Sequence, residues 1–211
     1  ISVINKLGLN VVVVHGGGKN IQKKLDNKNI ESKFIEGLRV TDSKTIEIVE
    51  QALTELNSEI IKKLSFINCK AQPITVKKNN IIITKPEKKE LIFVGSPKKV
   101  KKKKLIDLIK KKEVPVIIPM GIGENNKKYN INADVAAGAI AMSLNSRRLL
   151  LMTDVEGVLD KNGKLISEIN SDVANKMLKD GTISGGMIPK INTCIDAVKN
   201  GVTGVVIVDG R

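Results

Sequence analysis

Short apolar runs alternate with stretches of helical periodicity along most of the chain. Val11–Val14 is a run of four β-branched residues, which is typical of a strand buried on both faces. After Thr41-Asp42, apolar residues recur every three or four positions from Ile46 to Leu64 and predict a long amphipathic helix. Further apolar runs that predict strands lie at Val114–Pro119, Leu149–Thr153 and Val205–Val208. This alternation predicts an α/β fold, an α/β/α sandwich of three layers around a mostly parallel central sheet.

Two turn signals add β-hairpins to this sheet. Asn79-Asn80 separates the extended segments Ile74–Lys77 and Ile81–Lys85, and paired Asn tolerates the positive φ angle that a two-residue turn needs. A similar pair, Asn162-Gly163, follows the Leu149–Thr153 run. Between them, Gly121–Lys128 is polar and predicts a loop.

A glycine-rich turn joins the first predicted strand to the helix that follows it. Residues His15–Asn20 read HGGGKN, so three glycines stand directly before a helix N-terminus. Such a turn can bind an anion, because its bare N–H groups and the helix dipole attract negative charge. A tight structural turn would have the same sequence, so the turn alone leaves both interpretations open.

The strongly basic composition does not point to nucleic acid. The formal net charge is +14, yet Trp is absent and nearly every cation is a lysine. The densest basic run, Lys98–Lys112, alternates with Val, Leu and Ile, which predicts an amphipathic helix with a Lys-rich outer face. Because nucleic-acid sites usually add arginine and stacking aromatic side chains, we expect no nucleic-acid partner.

Cysteine usage and hydropathy indicate which compartment and which kinds of partner to expect. Cys69 and Cys194 are far apart in the sequence and form no CxxC pattern, so we expect neither a disulfide framework nor a metal site. We therefore expect the protein to reside in a reducing compartment. No run approaches the ~18 apolar residues of a membrane helix, so we expect no membrane partner. The chain starts at Ile1 in the middle of a helical pattern and stops soon after a strand, and we expect a sequence truncated at both ends.

Conspicuous polar and glycine residues cluster where strands end or helices begin. They lie at Gly16–Gly18, Arg39, Asn130–Asp134, Asp154–Gly157 and Ser184–Lys190. In open α/β sheets, ligands bind outside the carboxyl ends of the strands. Two glycine-rich helix starts are suited to holding two anionic groups opposite each other, as phosphoryl transfer requires. The spacing fits neither a P-loop nor a dinucleotide-binding GxGxxG motif, and no Ser or Cys lies in a nucleophile elbow.

Five motifs, in this order and spacing, resemble those of the acetylglutamate kinases within the amino-acid kinase family. They are HGGG at His15–Gly18, EGLRVTD at Glu36–Asp42, YNINAD at Tyr129–Asp134, LMTDVEGVLD at Leu151–Asp160 and SGGMIPK at Ser184–Lys190. The resemblance spans essentially the whole chain. It implies a transferase that phosphorylates the γ-carboxylate of N-acetyl-L-glutamate with ATP, in the second step of arginine biosynthesis. It also implies that Mg²⁺ arrives with the nucleotide.

The resemblance assigns roles to particular residues. Lys190 would stabilise the transition state, and Asp134 would orient the catalytic lysines. From the residues alone, Asp134 is equally suited to cap the helix predicted over Val135–Leu144. The substrate-binding residues implied are Gly17, Gly18, Arg39 and Asn130. The ATP-binding residues implied are Asp154, Val155, Glu156, Gly157, Val158, Leu159, Thr182, Ile183 and Ser184.

The sequence also departs from the family's pattern. The family's opening strand, with a lysine and two glycines, and its segment beyond Arg211 are absent, so we expect a single domain over residues 1–211 without them. Between Ala71 and Lys85 the chain lacks the family's glycine-rich turn. Two alternatives therefore stay open, namely another phosphotransferase of the family or a catalytically impaired nucleotide-binding module. We expect a homodimer or larger homo-oligomer in the cytoplasm, or in a plastid stroma given the AT-rich residue usage.

Overall fold

Two units make up the fold in a computed structural model that describes residues 1–211. Unit 1 spans Ile1–Ala136 and unit 2 spans Ala137–Arg211, while the expectation of a single domain stays a prediction. The helices that begin in unit 1 are α1 (Ser2–Lys6), α2 (Gly18–Asp26), α3 (Ser43–Phe66), α4 (Lys102–Lys110) and α5 (Ala133–Ser143), with a 3-10 turn at Lys89–Leu91. Its strands are β1 (Val13–Val14), β2 (Phe34–Ile35), β3 (Leu38–Arg39), β4 (Ala71–Ile74), β5 (Ile82–Pro86), β6 (Gly95–Val100), β7 (Val114–Ile117), β8 (Met120–Gly123) and β9 (Lys128–Asn130).

A parallel sheet of order β1-β7-β4 lies at the centre of unit 1. Val13 pairs with Val116, and Ile74 pairs with Ile117 on the other side of β7. Val114 and Val116 are completely buried, as expected for a parallel strand covered on both faces. The parallel pairing confirms the predicted α/β class.

The long helix α3 begins where the sequence predicts it. The Asp42 carboxylate accepts a hydrogen bond from the Thr45 N–H at 2.7 Å, which is a regular N-cap. The apolar stripe that includes Val49 and Leu53 is buried against α2 and the segment around Ile118. This packing places the N-terminal half of α3 against the glycine turn that starts α2.

In the four-stranded sheet of unit 1, whose order is β6-β5-β8-β9, two sequence predictions differ from the structure. Asn79 has the expected positive φ of 65°, but β4 pairs with β7, whereas β5 pairs with β6 and β8, so the predicted Asn79-Asn80 hairpin is wrong. A local turn does not decide pairing when distant apolar strands offer more burial. The loop predicted over Gly121–Lys128 is confirmed only for residues 124–127, because β8 and β9 form an antiparallel hairpin on either side of them.

The basic run forms two elements instead of one helix. Residues 98–100 belong to β6, which pairs antiparallel with β5, and only Lys102–Lys110 is helical as α4. Leu105 and Leu108 are the buried residues of α4, and its lysines cover the outer face as predicted.

Unit 2 packs helices against a parallel pair of strands. The strands are β10 (Arg148–Thr153) and β11 (Gly204–Asp209), and the helices are α6 (Ser171–Lys179), α7 (Met187–Lys199) and the rest of α5. A Cβ on Gly138 would lie 2.5 Å from the Thr193 side chain, so close packing of α5 on α7 explains the small residues of α5. The predicted turn at Asn162-Gly163 is confirmed, since Leu159 and Leu165 form an antiparallel bridge around it. No helix in either unit has the length and apolar character to cross a membrane.

Candidate active site

A cavity of about 220 Å³ opens beside the glycine turn of unit 1. All four predicted substrate-binding residues line it, namely Gly17, Gly18, Arg39 and Asn130. Pockets for drug-sized ligands measure roughly 300–1,000 Å³, so this cavity suits a smaller molecule. The structure therefore brings together residues that are up to 113 positions apart, from Gly17 to Asn130.

Different features of the structure account for the two glycines at the start of α2. A Cβ on Gly17, the N-cap residue, would lie 2.7 Å from Leu53 Cδ2, so the approach of α3 requires a glycine. A Cβ on Gly18 would meet nothing within 4 Å, and its φ is not positive. Neither glycine N–H donates to a carbonyl of the chain. Packing accounts for Gly17, whereas Gly18 leaves an open helix N-terminus that can accept an anion.

His15, which does not line the cavity, supports the glycine turn through hydrogen bonds. Its Nδ1 lies 2.9 Å from the Gly16 carbonyl, and its Nε2 lies 3.1 Å from Asn57 Nδ2. A carbonyl only accepts, so Nδ1 carries the proton and Nε2 accepts from Asn57. The Asn57 amide also donates to the Val116 carbonyl at 2.9 Å. Burial lowers the pKa of His15, so a neutral ring links the turn to α3 and β7.

Arg39 is held so that one edge of its guanidinium stays available. Its Nη1 donates to Gln22 Oε1 at 2.9 Å and to Ser32 Oγ, and its Cζ lies 4.6 Å from the centre of the Phe34 ring. Burial lowers the pKa of Arg39, although a guanidinium stays charged in any case. Its Nε and Nη2 donate to no group in the chain. These two nitrogens form the edge that binds a carboxylate in a bidentate manner.

Asn130 lines the cavity at the end of β9. Its N–H donates to the Phe93 carbonyl at 2.9 Å, which ties β9 to the segment before β6. Its side-chain Nδ2 donates to Thr41 Oγ1 at 3.3 Å. Lys128, two residues earlier, forms an ion pair of 2.6 Å with the buried Glu50 of α3. A main-chain bond and a side-chain bond thus fix the end of β9 to Phe93 and Thr41, and an ion pair fixes it to α3.

Asp134 does not cap helix α5. The cap is Asn132, whose Oδ1 accepts from the N–H groups of Asp134 at 2.9 Å and of Val135 at 3.2 Å. Asp134 is the second residue of α5, one residue beyond Ala133 of the cavity lining. Capping therefore does not explain the aspartate. Its proposed role in orienting lysines stays a prediction.

In unit 2, Lys190 is buried, with 7% of its surface exposed. It lies in the first turns of α7, and its Nζ donates to the Met152 carbonyl at 3.4 Å. Met152 is the penultimate residue of β10, so the ammonium lies at the carboxyl end of this strand. That edge of a parallel sheet is where α/β proteins bind ligands.

The two segments predicted to bind ATP also meet in unit 2. Val158 and Ile183 share one buried cluster, and an ion pair of 3.1 Å joins Lys161 to Asp180. The hydroxyl and N–H of Thr182 both donate to Asp180, and together with Lys161 they lower the pKa of Asp180 to about 2.

Burial divides the predicted ATP-binding residues into two classes. The side chains of Val158 and Ile183 lie in the core, so only their main-chain groups can contact a ligand. Asp154, Val155 and Glu156 are exposed on the loop after β10. Gly157 next to them has a φ of 147°, and a Cβ there would lie 2.8 Å from Leu165, so this loop conformation requires glycine.

Sequence reasoning missed the residues that orient the predicted ones. Asn132 is visible in the NINAD motif as a possible cap, but Asp134 satisfies the same rule two residues later. Gln22 and Ser32, which hold Arg39, are ordinary polar residues with no signal in the sequence. No three His, Cys, Asp or Glu side chains lie close enough together to hold a metal ion.

Comparison with known proteins agrees with the motifs. The model of the amino acid kinase family matches residues 1–209. The chain belongs to the amino acid kinase family. Among relatives of this family member, the acetylglutamate kinase of Pelagibacter ubique is 54% identical over 209 residues, which cover 99% of this chain and 73% of the relative. This confirms the resemblance to acetylglutamate kinases that the sequence predicts.

Solved structures support the amino acid kinase fold. A Streptococcus mutans protein is 30% identical and superposes with a TM-score of 0.94, covering 100% of this chain and 86% of that one. The carbamate kinase of Giardia lamblia, at 18% identity, has a TM-score of 0.72 over 99% of this chain and 80% of its own. The second likeness concerns the fold alone.

Proposed function

We propose that the chain is an ATP-dependent kinase that phosphorylates the γ-carboxylate of N-acetyl-L-glutamate. The product is the acyl phosphate N-acetyl-L-glutamyl 5-phosphate, formed in the second step of arginine biosynthesis. The high identity to an acetylglutamate kinase over nearly the whole chain supports the substrate. The observation that carries the proposal is the cavity of unit 1, where the open edge of Arg39 and the N-terminus of α2 offer donors to a small dianionic acid.

The reaction needs no general base. A carboxylate with a pKa near ~4.3 is already ionised at neutral pH, so it can attack phosphorus directly. The residues must instead hold two anions and stabilise the charge that develops between them. We assign the binding of the acid to Gly17, Gly18, Arg39 and Asn130.

Unit 2 supplies the residues assigned to the nucleotide. The loop Asp154–Leu159 and the segment Thr182–Ser184 are assigned to ATP, with the buried Val158 and Ile183 contributing main-chain groups only. The buried ammonium of Lys190, at the carboxyl end of β10, is assigned to the transferring phosphoryl group. We assign Mg²⁺ to the nucleotide, where it would neutralise phosphate charge.

A coupled assay of ADP release tests the proposal. The purified protein is given ATP with N-acetyl-L-glutamate, glutamate, aspartate or carbamate. We expect release that depends on N-acetyl-L-glutamate and is at least tenfold slower with the other acids. Preference for another acid would favour a different phosphotransferase of the family, and release with none of them would favour an impaired nucleotide-binding module.

Three broader assignments accompany this function. We propose that residues 1–211 belong to one amino-acid kinase domain and that the protein forms a homodimer or larger homo-oligomer, which light scattering can measure. We propose a cytoplasmic location. The Pelagibacter ubique relative is bacterial and gives no support to the plastid alternative.

A further inference from the structure

A single buried hydroxyl connects two of the residues assigned to the acid. We propose that Thr41 is a positioning residue, which fixes Arg39 and Asn130 at the spacing that N-acetyl-L-glutamate requires. The inference rests on the proposed function of the cavity. Thr41 does not line the cavity, and although it lies in the EGLRVTD motif, it is not among the site residues that the motif implies.

The Thr41 hydroxyl uses both of its hydrogen-bonding capacities between these residues. It donates to the Arg39 carbonyl at 2.8 Å and accepts from Asn130 Nδ2 at 3.3 Å. Thr41 has no exposed surface, so no water competes for either bond. These two hydrogen bonds, which we call the Thr41 relay, join β3 to β9. The cavity-lining residues of the two strands, Arg39 and Asn130, are 91 positions apart.

The direction of these bonds determines what Asn130 can offer a ligand. The hydroxyl proton is used on the Arg39 carbonyl, so the hydroxyl can only accept from Asn130. The amide therefore turns its nitrogen towards Thr41 and keeps its Oδ1 and second N–H for the cavity. Without the hydroxyl, the Asn130 side chain would lose the contact that fixes its χ2 orientation.

The main chain around Thr41 is held independently of its side chain. Its N–H donates to the Leu91 carbonyl at 3.3 Å, and its carbonyl accepts from the Phe93 N–H at 2.9 Å. Phe93 in turn accepts from the Asn130 N–H at 2.9 Å. Removing only the hydroxyl should therefore leave both strands in place and release only the side-chain orientation.

The test compares Thr41→Val, which keeps the shape but removes the hydroxyl, with Thr41→Ser, which keeps the hydroxyl. Calorimetric titration with N-acetyl-L-glutamate gives Kd, and the coupled assay gives kcat and both KM values. Loss of a buried hydrogen bond predicts about a tenfold rise in Kd and KM for the acid in Thr41→Val. We expect KM for ATP to stay within about twofold, and Thr41→Ser to recover most of the affinity.

Thr84→Val is the matched control. Thr84 is also a buried threonine of unit 1, its Oγ1 has no hydrogen-bond partner, and it does not line the cavity. Its variant should therefore bind the acid as the unmodified protein does. If Thr84→Val and Thr41→Val weaken binding equally, a general effect of buried threonines replaces the positioning role.

A double-mutant cycle separates positioning from stability. With Asn130→Ala as background, Thr41→Val should add less than about twofold to Kd, because the side chain that it orients is gone. Additive effects, or a lower Tm with unchanged Kd, would overturn the inference. If Thr41→Val does not fold, Thr41→Ala against Thr41→Ser makes the same comparison.

Measurements on the unmodified protein distinguish failure of this inference from failure of the function on which it rests. If the unmodified protein neither binds nor phosphorylates N-acetyl-L-glutamate, the proposed function is wrong and the role of Thr41 with it. If the unmodified protein does both and Thr41→Val matches it, only the role of Thr41 is wrong.

Discussion

Replacing Arg39 with alanine should weaken binding of the acid while leaving the chemical step nearly intact. The structure leaves the Nε and Nη2 donors of Arg39 without partners at the cavity, while Gln22, Ser32 and Phe34 hold the rest of the guanidinium. In the proposed reaction the Nε and Nη2 edge of Arg39 binds the α-carboxylate, which is remote from the reacting γ-carboxylate. A contact that is equal in the ground and transition states affects KM and not kcat.

The size of the effect follows from the geometry. A hydrogen bond to a charged group contributes roughly 1.5–3 kcal/mol, and a bidentate pair lies towards the upper end of that range. Since about 1.4 kcal/mol corresponds to tenfold, Arg39→Ala should raise KM for N-acetyl-L-glutamate about 10²-fold. Arg39→Lys should recover only part of this loss, because an ammonium cannot present two parallel donors.

Both Michaelis constants must be measured to interpret the result. The coupled assay should show KM for ATP and kcat within about threefold of the unmodified protein. Arg147→Ala serves as a control, because it removes the same charge from an exposed position of unit 2. An unchanged KM for the acid would refute the assignment of Arg39, and a large fall in kcat would show that it acts on the reacting group.

Three further predictions concern the glycine turn, the buried lysine and the single histidine. Lys190→Ala should lower kcat by about 10²–10³-fold with little change in KM, whereas a raised KM for ATP at unchanged kcat would make Lys190 a ground-state nucleotide ligand. Gly17→Ala should lower the stability measured by thermal melting by about 1–3 kcal/mol, because its Cβ would collide with Leu53. Gly18→Ala should melt at or above the temperature of the unmodified protein but bind the acid more weakly, and equal melting losses would contradict this account of the turn. His15 has a lowered pKa when folded, so below about pH 6.5 the unfolded chain binds the extra proton more readily and stability falls as pH falls. Since the chain has one histidine, His15→Gln should reduce the change in Tm between pH 7.5 and 5.5, and an unchanged difference would assign it to other groups.

Local patterns in the sequence predict much of the fold. The Asp42 cap, the stripe of α3 and the apolar runs of β7, β10 and β11 are all determined by neighbouring residues, so they can be read without tertiary information. The hairpin predicted at Asn79-Asn80 fails for the opposite reason. Asn79 adopts the positive φ that a turn needs, but β4 and β5 pair with strands that are distant in the sequence, where they bury more apolar surface.

The same distinction applies to the candidate site. The motifs name the residues that line the cavity, because a glycine turn and polar residues at strand ends are local signals. Capping by Asn132 rather than Asp134 is a shift of two residues that propensity rules do not resolve. The relay through Thr41 joins residues 89 positions apart, from Thr41 to Asn130, so it depends on how β9 and β3 are brought together.

Detection of the acyl phosphate is the most direct test of the central claim. Phosphorus NMR of the protein with ATP, Mg²⁺ and N-acetyl-L-glutamate should show an acyl phosphate resonance that grows in step with ADP. Addition of hydroxylamine should convert it to a hydroxamate, since acyl phosphates react with this nucleophile. Release of ADP without an acyl phosphate, or an acyl phosphate formed equally well from glutamate, would contradict the account.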